Sequence, residues 1–249
     1  MNARDISVIV TTFNESANIE RCLDSVRGFG EIVVVDSFSG DDTLARCRGR
    51  CTTLYQRRYV SPADQKNWAA ARARNDWVLV LDADEWLEPD LRAEIDLLDP
   101  ASRAGFWIRR RSDFLGRTIR HCGWQRDKVL RLYDRRRGRY PDAWVHEEVV
   151  LDGEAGILDA RLRHNPYRDV AHHLEKIESY TTSGARQYAE RGGRAPALRM
   201  VTHPPFRFLR MYVMQGGFLD AYPGLVLCLL GAYGVFLKYA KAWERTRAA

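Results

Sequence analysis

The 249-residue chain has few devices for holding itself together other than its own core. Its five cysteines (Cys22, Cys47, Cys51, Cys122 and Cys228) are scattered and odd in number, with no CxxC pair and no Cys/His zinc spacing. That argues against a disulfide scaffold and a structural zinc site, and for a reducing compartment. Internal repeats and low-complexity tracts are absent. So are RNP, zinc-finger and helix-turn-helix signatures, and nucleic acid is not an expected partner. The N-terminus, Met1-Asn2-Ala3-Arg4-Asp5, runs straight into Ile6–Val10 with no basic n-region and no small-residue cleavage site. No secretory signal is read there, and the catalytic part is expected in the cytoplasm. Acids are in deficit: 33 Asp and Glu face 39 Lys and Arg, a net charge of +6. Such a surface favours anionic partners: nucleic acid, phosphorylated sugars or an acidic lipid surface, among which composition does not choose.

What is present is a run of strand and helix signals. Ile6–Val10, Glu31–Val35 and Trp77–Leu81 are apolar runs short enough for buried strands, and Thr52–Gln56 is a weaker one. Ile19, Cys22, Leu23 and Val26 repeat at helical spacing, and a second helix is read over Thr43–Arg50. Ser61-Pro62 caps and opens a helix to about Arg74, and Pro89 opens another to about Leu98. Continuously apolar strands alternating with helices predict an α/β domain: a mostly parallel central sheet with helices on both faces. After about residue 100 the texture changes. Ala104–Arg110, Lys128–Tyr133 and Val145–Leu151 read as strands joined by Arg- and Gly-rich loops, and Asp169–Arg191 reads as a helix. The expected division is an α/β half over 1–100, a mixed-sheet extension over 101–168 and a helical region over 169–249.

Within that last region Ala221–Leu237 carries no charge. It is at the lower limit for a spanning helix and is interrupted by Pro223, Gly224, Gly231 and Gly234. Basic residues (Arg207, Arg210, Lys238, Lys241) and aromatics (Phe206, Tyr212, Tyr222, Trp243) flank it. We read a membrane-associating region, peripheral or shallowly embedded.

Three polar clusters follow three of the apolar strands: Asn14-Glu15, Asp36 and Asp82-Ala83-Asp84-Glu85. In a parallel sheet these strand ends open on one edge, where ligands bind. Acids concentrated there repel one another unless a cation relieves them. Asp82-x-Asp84 is therefore read as a site for Mg²⁺ or Mn²⁺, hard ions that take oxygen ligands together with substrate phosphates. The acids also suit helix starts, so the DxD spacing alone is a weak signal.

Ser7-Val8-Ile9-Val10-Thr11-Thr12-Phe13-Asn14-Glu15, Ile32–Asp36 with Ser37, Ser39 and Thr43, Gln65-Lys66-Asn67 and Leu81-Asp82-Ala83-Asp84-Glu85 together resemble glycosyltransferase family 2. Gly123-Trp124, Arg131-Leu132-Tyr133, Val145-His146-Glu147, His164 with Tyr167, and Gly217-Phe218-Leu219-Asp220 are similar to its lipopolysaccharide core β-glucosyltransferase subgroup. The resemblance implies the GT-A fold and transfer, with inversion, of a hexose (glucose from UDP-glucose in the subgroup) to a membrane-associated glycolipid at the cytoplasmic face of the inner membrane. It places Thr11, Asn14, Glu15, Asp36 and Ser37 on the nucleotide and Lys66 near the diphosphate. Asp84 would be the principal metal ligand, with Asp82 nearer the ribose and donor sugar and His146 as a third ligand. Glu147 is expected to be the base that deprotonates the acceptor, with Glu148 and Asp142 in reserve. Trp124 and Arg131 are expected at the acceptor. His146 and Glu147 fall on opposite faces of a regular strand, so both can serve only where the strand ends or bulges.

Three other readings compete. A polyprenyl-phosphate glycosyltransferase shares the fold and differs in acceptor. A nucleotidyltransferase would carry a Gly-rich loop after the first strand, and Thr11–Ser16 has no glycine. A non-catalytic basic protein bound to a membrane surface or to nucleic acid would not need the acidic strand ends.

Overall fold

A computed structural model describes residues 1–141, 148–194 and 196–248. The described chain falls into two compact units: Met1–Arg110 with Asp127–His164, and Arg111–Arg126 with Asn165–Ala249. The segment 111–126, which the sequence assigns to the sheet extension, thus groups with the C-terminal helices.

In the first unit the elements are β1 (Ile6–Thr12), α1 (Ile19–Ser25), β2 (Glu31–Asp36), α2 (Thr43–Cys47), β3 (Thr53–Gln56), α3 (Pro62–Ala70), β4 (Trp77–Asp82), β5 (Glu85–Leu87) and α4 (Pro89–Leu97). After these come β6 (Gly105–Phe114), β7 (Arg117–Thr118), β8 (Lys128–Asp134), β9 (Gly138–Arg139), β10 (Val150–Leu151) and β11 (Ala155–His164), with the end of β6 and all of β7 in the second unit. The main sheet runs β3-β2-β1-β4-β8-β6-β11-β5. β3, β2, β1 and β4 are mutually parallel; β8 then joins β4, and β6 joins β8, both antiparallel. This is the parallel sheet with an antiparallel extension that the apolar runs imply.

Strand alternation sends successive residues into two cores. Val8, Val10, Leu79 and Leu81 pack with Ile19 and Leu23 of α1 and Leu91 and Ile95 of α4. Ile9, Val33, Val35, Val78 and Val80 pack with Ala63, Ala69 and Ala70 of α3. Both faces are therefore covered, and this is why β1, β2 and β4 read as unbroken apolar runs. The start of α3 is set as its sequence indicates: the Ser61 hydroxyl accepts from Asp64 N–H at 3.1 Å, and Pro62 follows at the first helical position.

Of the strands with no local sequence signal, β5 and β11 bear on the site. β11 buries only Leu158 and Leu162, four residues apart, among Asp159, Arg161 and Arg163. β5 has three residues and pairs antiparallel with β11, placing His164 opposite Glu85.

The second unit contains α5 (Val170–Glu190), α6 (Pro196–Leu209), a π-helical turn over Arg210–Met214 and α7 (Ala221–Ala248). Its aromatic centre is Phe114 with Trp124, Tyr167 and His173. The His173 ring stacks on Tyr167 at 3.7 Å. Burial, with Lys176 and His172 nearby, holds this imidazole at about 4, below its ordinary 6.5. The folded ring stays neutral while an unfolded one protonates below about 6.5, so its contribution is complete above that pH and is lost as the pH falls toward 4. Melting curves from pH 7 to 4 should show stability falling in this window by up to about 1.4 kcal/mol per pH unit. The His173→Phe variant should show a shallower fall, and an equal slope in the two proteins would remove His173 as the cause.

Candidate active site at the carboxyl edge of the parallel strands

Strand register brings the predicted acids together. Thr12 of β1 pairs with Asp36 of β2, and Thr11 pairs with Asp82 of β4. Asp36 and Asp82 thus flank β1 on the same edge, about 10 Å apart by two strand spacings. Beyond Asp82 the chain turns at Ala83-Asp84 and re-enters the sheet at Glu85. Glu85 Oε2 accepts from Asp82 N–H at 3.1 Å, which pins the turn.

Three cations close on these acids. Lys66 Nζ, buried at the middle of α3, lies 3.1 Å from Asp82 Oδ1. The Arg131 guanidinium pairs with the other Asp82 oxygen and reaches Glu85 Oε1 at 2.9 Å. Arg110 Nη1 reaches that same Glu85 oxygen at 3.1 Å, and its Nε donates to Asp127 at 2.7 Å. Burial would raise the affinity of both carboxylates for protons. The charge of Arg131, helped by Lys66 at Asp82 and by Arg110 at Glu85, outweighs it and holds both below their ordinary range.

Asp84 is buried, and its Oδ2 lies 3.8 Å from His164 Nε2 at the end of β11. Burial, then the Arg110 charge, hold His164 at about 4, so the imidazole is neutral at pH 7. Among the described residues no three His, Cys, Asp or Glu side chains form a ready-made metal cage. Asp82 is already neutralised by two cations. Asp84 and His164 place one carboxylate beside one neutral imidazole at this turn. That set fits Mg²⁺ or Mn²⁺, which complete their shells with water and substrate phosphate. His164, cited from the sequence only for its subgroup likeness, joins the site through β5–β11 pairing that no local pattern announced.

The loops around β1 and β2 are tied to each other. Asp36 is fully buried and accepts from Ser39 N–H at 2.9 Å, from the Ser39 hydroxyl and from Gln56 Nε2 at 3.4 Å. Asn14 adopts a left-handed φ of 53°; its N–H donates to Ser39 Oγ and its Oδ1 accepts from Gly40 N–H, each at 2.8 Å. Glu15 N–H donates to Thr43 Oγ1 at 2.9 Å, and the Thr11 hydroxyl donates to Asp82 at 3.3 Å. Gln65 donates to Ser37 Oγ at 3.0 Å, and Asn67 exchanges two hydrogen bonds with the backbone of Tyr140. The Gln65-Lys66-Asn67 triplet therefore ties three separate segments to one helix.

One sequence expectation needs correction. Arg131, expected at the acceptor, is buried between Leu130 and Leu132, and its guanidinium serves as counter-ion to Asp82 and Glu85. Trp124 is half-buried and packs on Phe114 and Tyr167 in the second unit. Arg110 likewise turns onto Glu85 and Asp127. His146, Glu147 and the reserve base Asp142 lie outside the described residues, whereas Glu148 is exposed.

Acids at the carboxyl ends of parallel strands, a DxD turn and a strand order that changes direction beside it define a GT-A-type α/β protein. The model of the Glycosyl transferase family 2 domain matches residues 7–149, and the chain belongs to that family. It is 30% identical to the lipopolysaccharide core biosynthesis glycosyltransferase LpsC of Rhizobium meliloti, covering 96% of this chain and 92% of that one. An uncharacterized glycosyltransferase of Rickettsia prowazekii, RP128, is 26% identical with coverage of 96% and 86%. Among solved structures, the mannosyltransferase PcManGT from Pyrobaculum calidifontis, in complex with GDP-Man and Mn²⁺, aligns with a TM-score of 0.56 at 17% identity, over 96% of this chain and 87% of that one. S. aureus TarS 1–349 in complex with UDP-GlcNAc aligns with a TM-score of 0.51 at 16% identity, over 100% and 92%. These two likenesses concern the fold.

Removing Arg131 leaves buried Glu85 and half-buried Asp82 with too little compensation. Arg131→Met should lower stability by about 3–5 kcal/mol in urea unfolding. A variant that unfolds like the parent and only weakens acceptor binding would restore the acceptor reading.

Proposed function

We propose that this family 2 glycosyltransferase moves a hexose, with UDP-glucose the favoured donor, to a hydroxyl of a membrane-associated glycolipid of the lipopolysaccharide-core type. The reaction would take place at the cytoplasmic face of the cell membrane. The observation that carries this reading is the shared carboxyl edge of Asp36, Asp82 and Asp84, with buried Lys66 against Asp82. The likeness to LpsC supports the acceptor class, and the GDP-Man and UDP-GlcNAc complexes of structural neighbours support a nucleotide-sugar donor.

In this reading Thr11, Asn14, Glu15, Asp36 and Ser37 form the nucleotide cradle. Asp36 acts through the Ser39 loop that it holds. Lys66 offers a point charge to the diphosphate, and Asp82 orients both Lys66 and the donor sugar. Asp84 and His164 hold the divalent ion, with His146 as a further ligand from the sequence. When bound, Mg²⁺ or Mn²⁺ would supply Lewis-acid stabilisation of charge on the leaving diphosphate. Glu147 takes the acceptor proton as the hydroxyl oxygen bonds to C1 and the bond from C1 to the diphosphate oxygen breaks. One displacement inverts C1, so an α-linked donor gives a β-linked product.

Asp84→Asn should lower transfer more than about 100-fold at any Mg²⁺ or Mn²⁺ concentration. Glu147→Gln should match that loss yet retain UDP-sugar affinity by calorimetry. NMR of the product should show the β-anomer; a retained α-linkage rejects the single displacement. Deep-rough lipopolysaccharide and polyprenyl phosphate, offered side by side, identify the acceptor class.

A further inference from the structure

The chain's excess charge is not spread evenly. Residues 165–249 contain twelve Lys and Arg against six Asp and Glu, so they carry the whole net charge of +6, and residues 1–164 are neutral. From Arg191 to Leu219 there are five arginines and no acid. The same region holds a helical stretch, Gly217–Arg247, that is apolar and long enough to cross a membrane, with only 17% of an 18-residue apolar segment of it buried.

One face of α7 accounts for much of that exposure. Tyr222, Leu229, Tyr233, Phe236 and Trp243 follow one another at intervals of seven, four, three and seven residues, and all are exposed. The opposite face is occupied. Leu227, Cys228, Tyr239 and Ala242 are buried, and Gly231 lies against Met211. α5 crosses this occupied side. Ile177 packs over Gly234, and Lys241 Nζ reaches Glu178 Oε1 at 2.6 Å, with the hydroxyls of Thr181 and Thr182 at 3.0 and 2.7 Å.

That crossing decides how the helix can meet a bilayer. α5 exposes Glu178, Arg186 and Glu190, and it contacts α7 inside the apolar stretch. A spanning α7 would carry those charges into hydrocarbon or lose α5 altogether. The uncharged stretch, Ala221–Leu237, is also only about 25 Å long at 1.5 Å per residue, short of a hydrocarbon core of about 30 Å. We propose that the second unit docks in the plane of an anionic phospholipid surface, seating the Tyr222-Leu229-Tyr233-Phe236-Trp243 face of α7 among the acyl chains without crossing. The basic excess of the same region supplies the complementary charge. The inference rests on the membrane-associated acceptor proposed above and gives the mode of that association.

Flotation of the full chain with phosphatidylcholine vesicles, with and without phosphatidylglycerol, tests it. Binding should need the anionic lipid, weaken with salt and yield to alkaline carbonate. The double variant Tyr233→Glu/Phe236→Glu should lose at least about tenfold of its vesicle binding. Its melting temperature and its calorimetric affinity for UDP-glucose should match those of the parent. The affinity arm separates this inference from the donor assignment: a parent with no UDP-glucose affinity contradicts the donor, while flotation still reports on docking. Undiminished flotation of the variant overturns the proposal. So does carbonate-resistant protein whose C-terminal tag is cleaved only from the far side of the membrane, which means a span. A dimer seen by light scattering in the parent and lost in the variant, with no vesicle binding by either, assigns the face to a second copy.

Discussion

The site depends on how two adjoining carboxylates, buried Glu85 and half-buried Asp82, are kept charged. Asp82 and Glu85 stand at the end of a strand buried on both faces, where an unpaired charge is costly. Their counter-ions come from three other places: Lys66 from α3, Arg110 from β6 and Arg131 from β8. The network therefore couples the parallel half of the sheet to its antiparallel extension. It also fixes the turn carrying Asp84, because Glu85 holds both the cations and the Asp82 N–H. Placing the reactive edge and assembling the extension are thus one folding event, a constraint that apolar packing alone would not impose.

The loops facing this edge are set by a second, cheaper device. Asn14 and Phe38 occupy left-handed backbone at φ of 53° and 63° without being glycine. Such residues cost energy unless their surroundings enforce them, and they cluster where ligands bind. Here the enforcement is Ser39, which lies between Asp36 and Asn14 and bonds to both. In the proposed reading, a nucleotide cradle organised by its own polar groups would lose less entropy on binding.

What could be read in advance follows from the same physics. β1, β2 and β4 were legible because burial on both faces forces unbroken apolar runs, and the acids that end those runs stand out. β11 and β5 were not, because β11 shows its buried Leu158 and Leu162 among charges and β5 is too short for any period. His164 was consequently tied to no partner, although strand pairing sets it opposite Glu85 and within reach of Asp84. Arg131 was misplaced, and the inward turn of Arg110 had no local signal, for the opposite reason. Arginine is usually a surface residue, and only the carboxylates 49 and 25 positions away in the chain explain why these two turn inward.

Separating the charge by region has a functional logic. A polyanionic donor and an anionic membrane attract the same kind of protein surface, and a catalytic region with a large positive excess would be drawn to lipid at the expense of its substrate. The stretch 1–164 avoids this by balancing its charges and by burying Lys66, Arg110 and Arg131 against carboxylates. These three cations are therefore available only locally, to a ligand that reaches the strand edge. The net positive charge lies instead in the helices, where it can act over roughly a Debye length on a lipid surface. Salt would then weaken the second attraction far more than the first, since buried pairs are screened little.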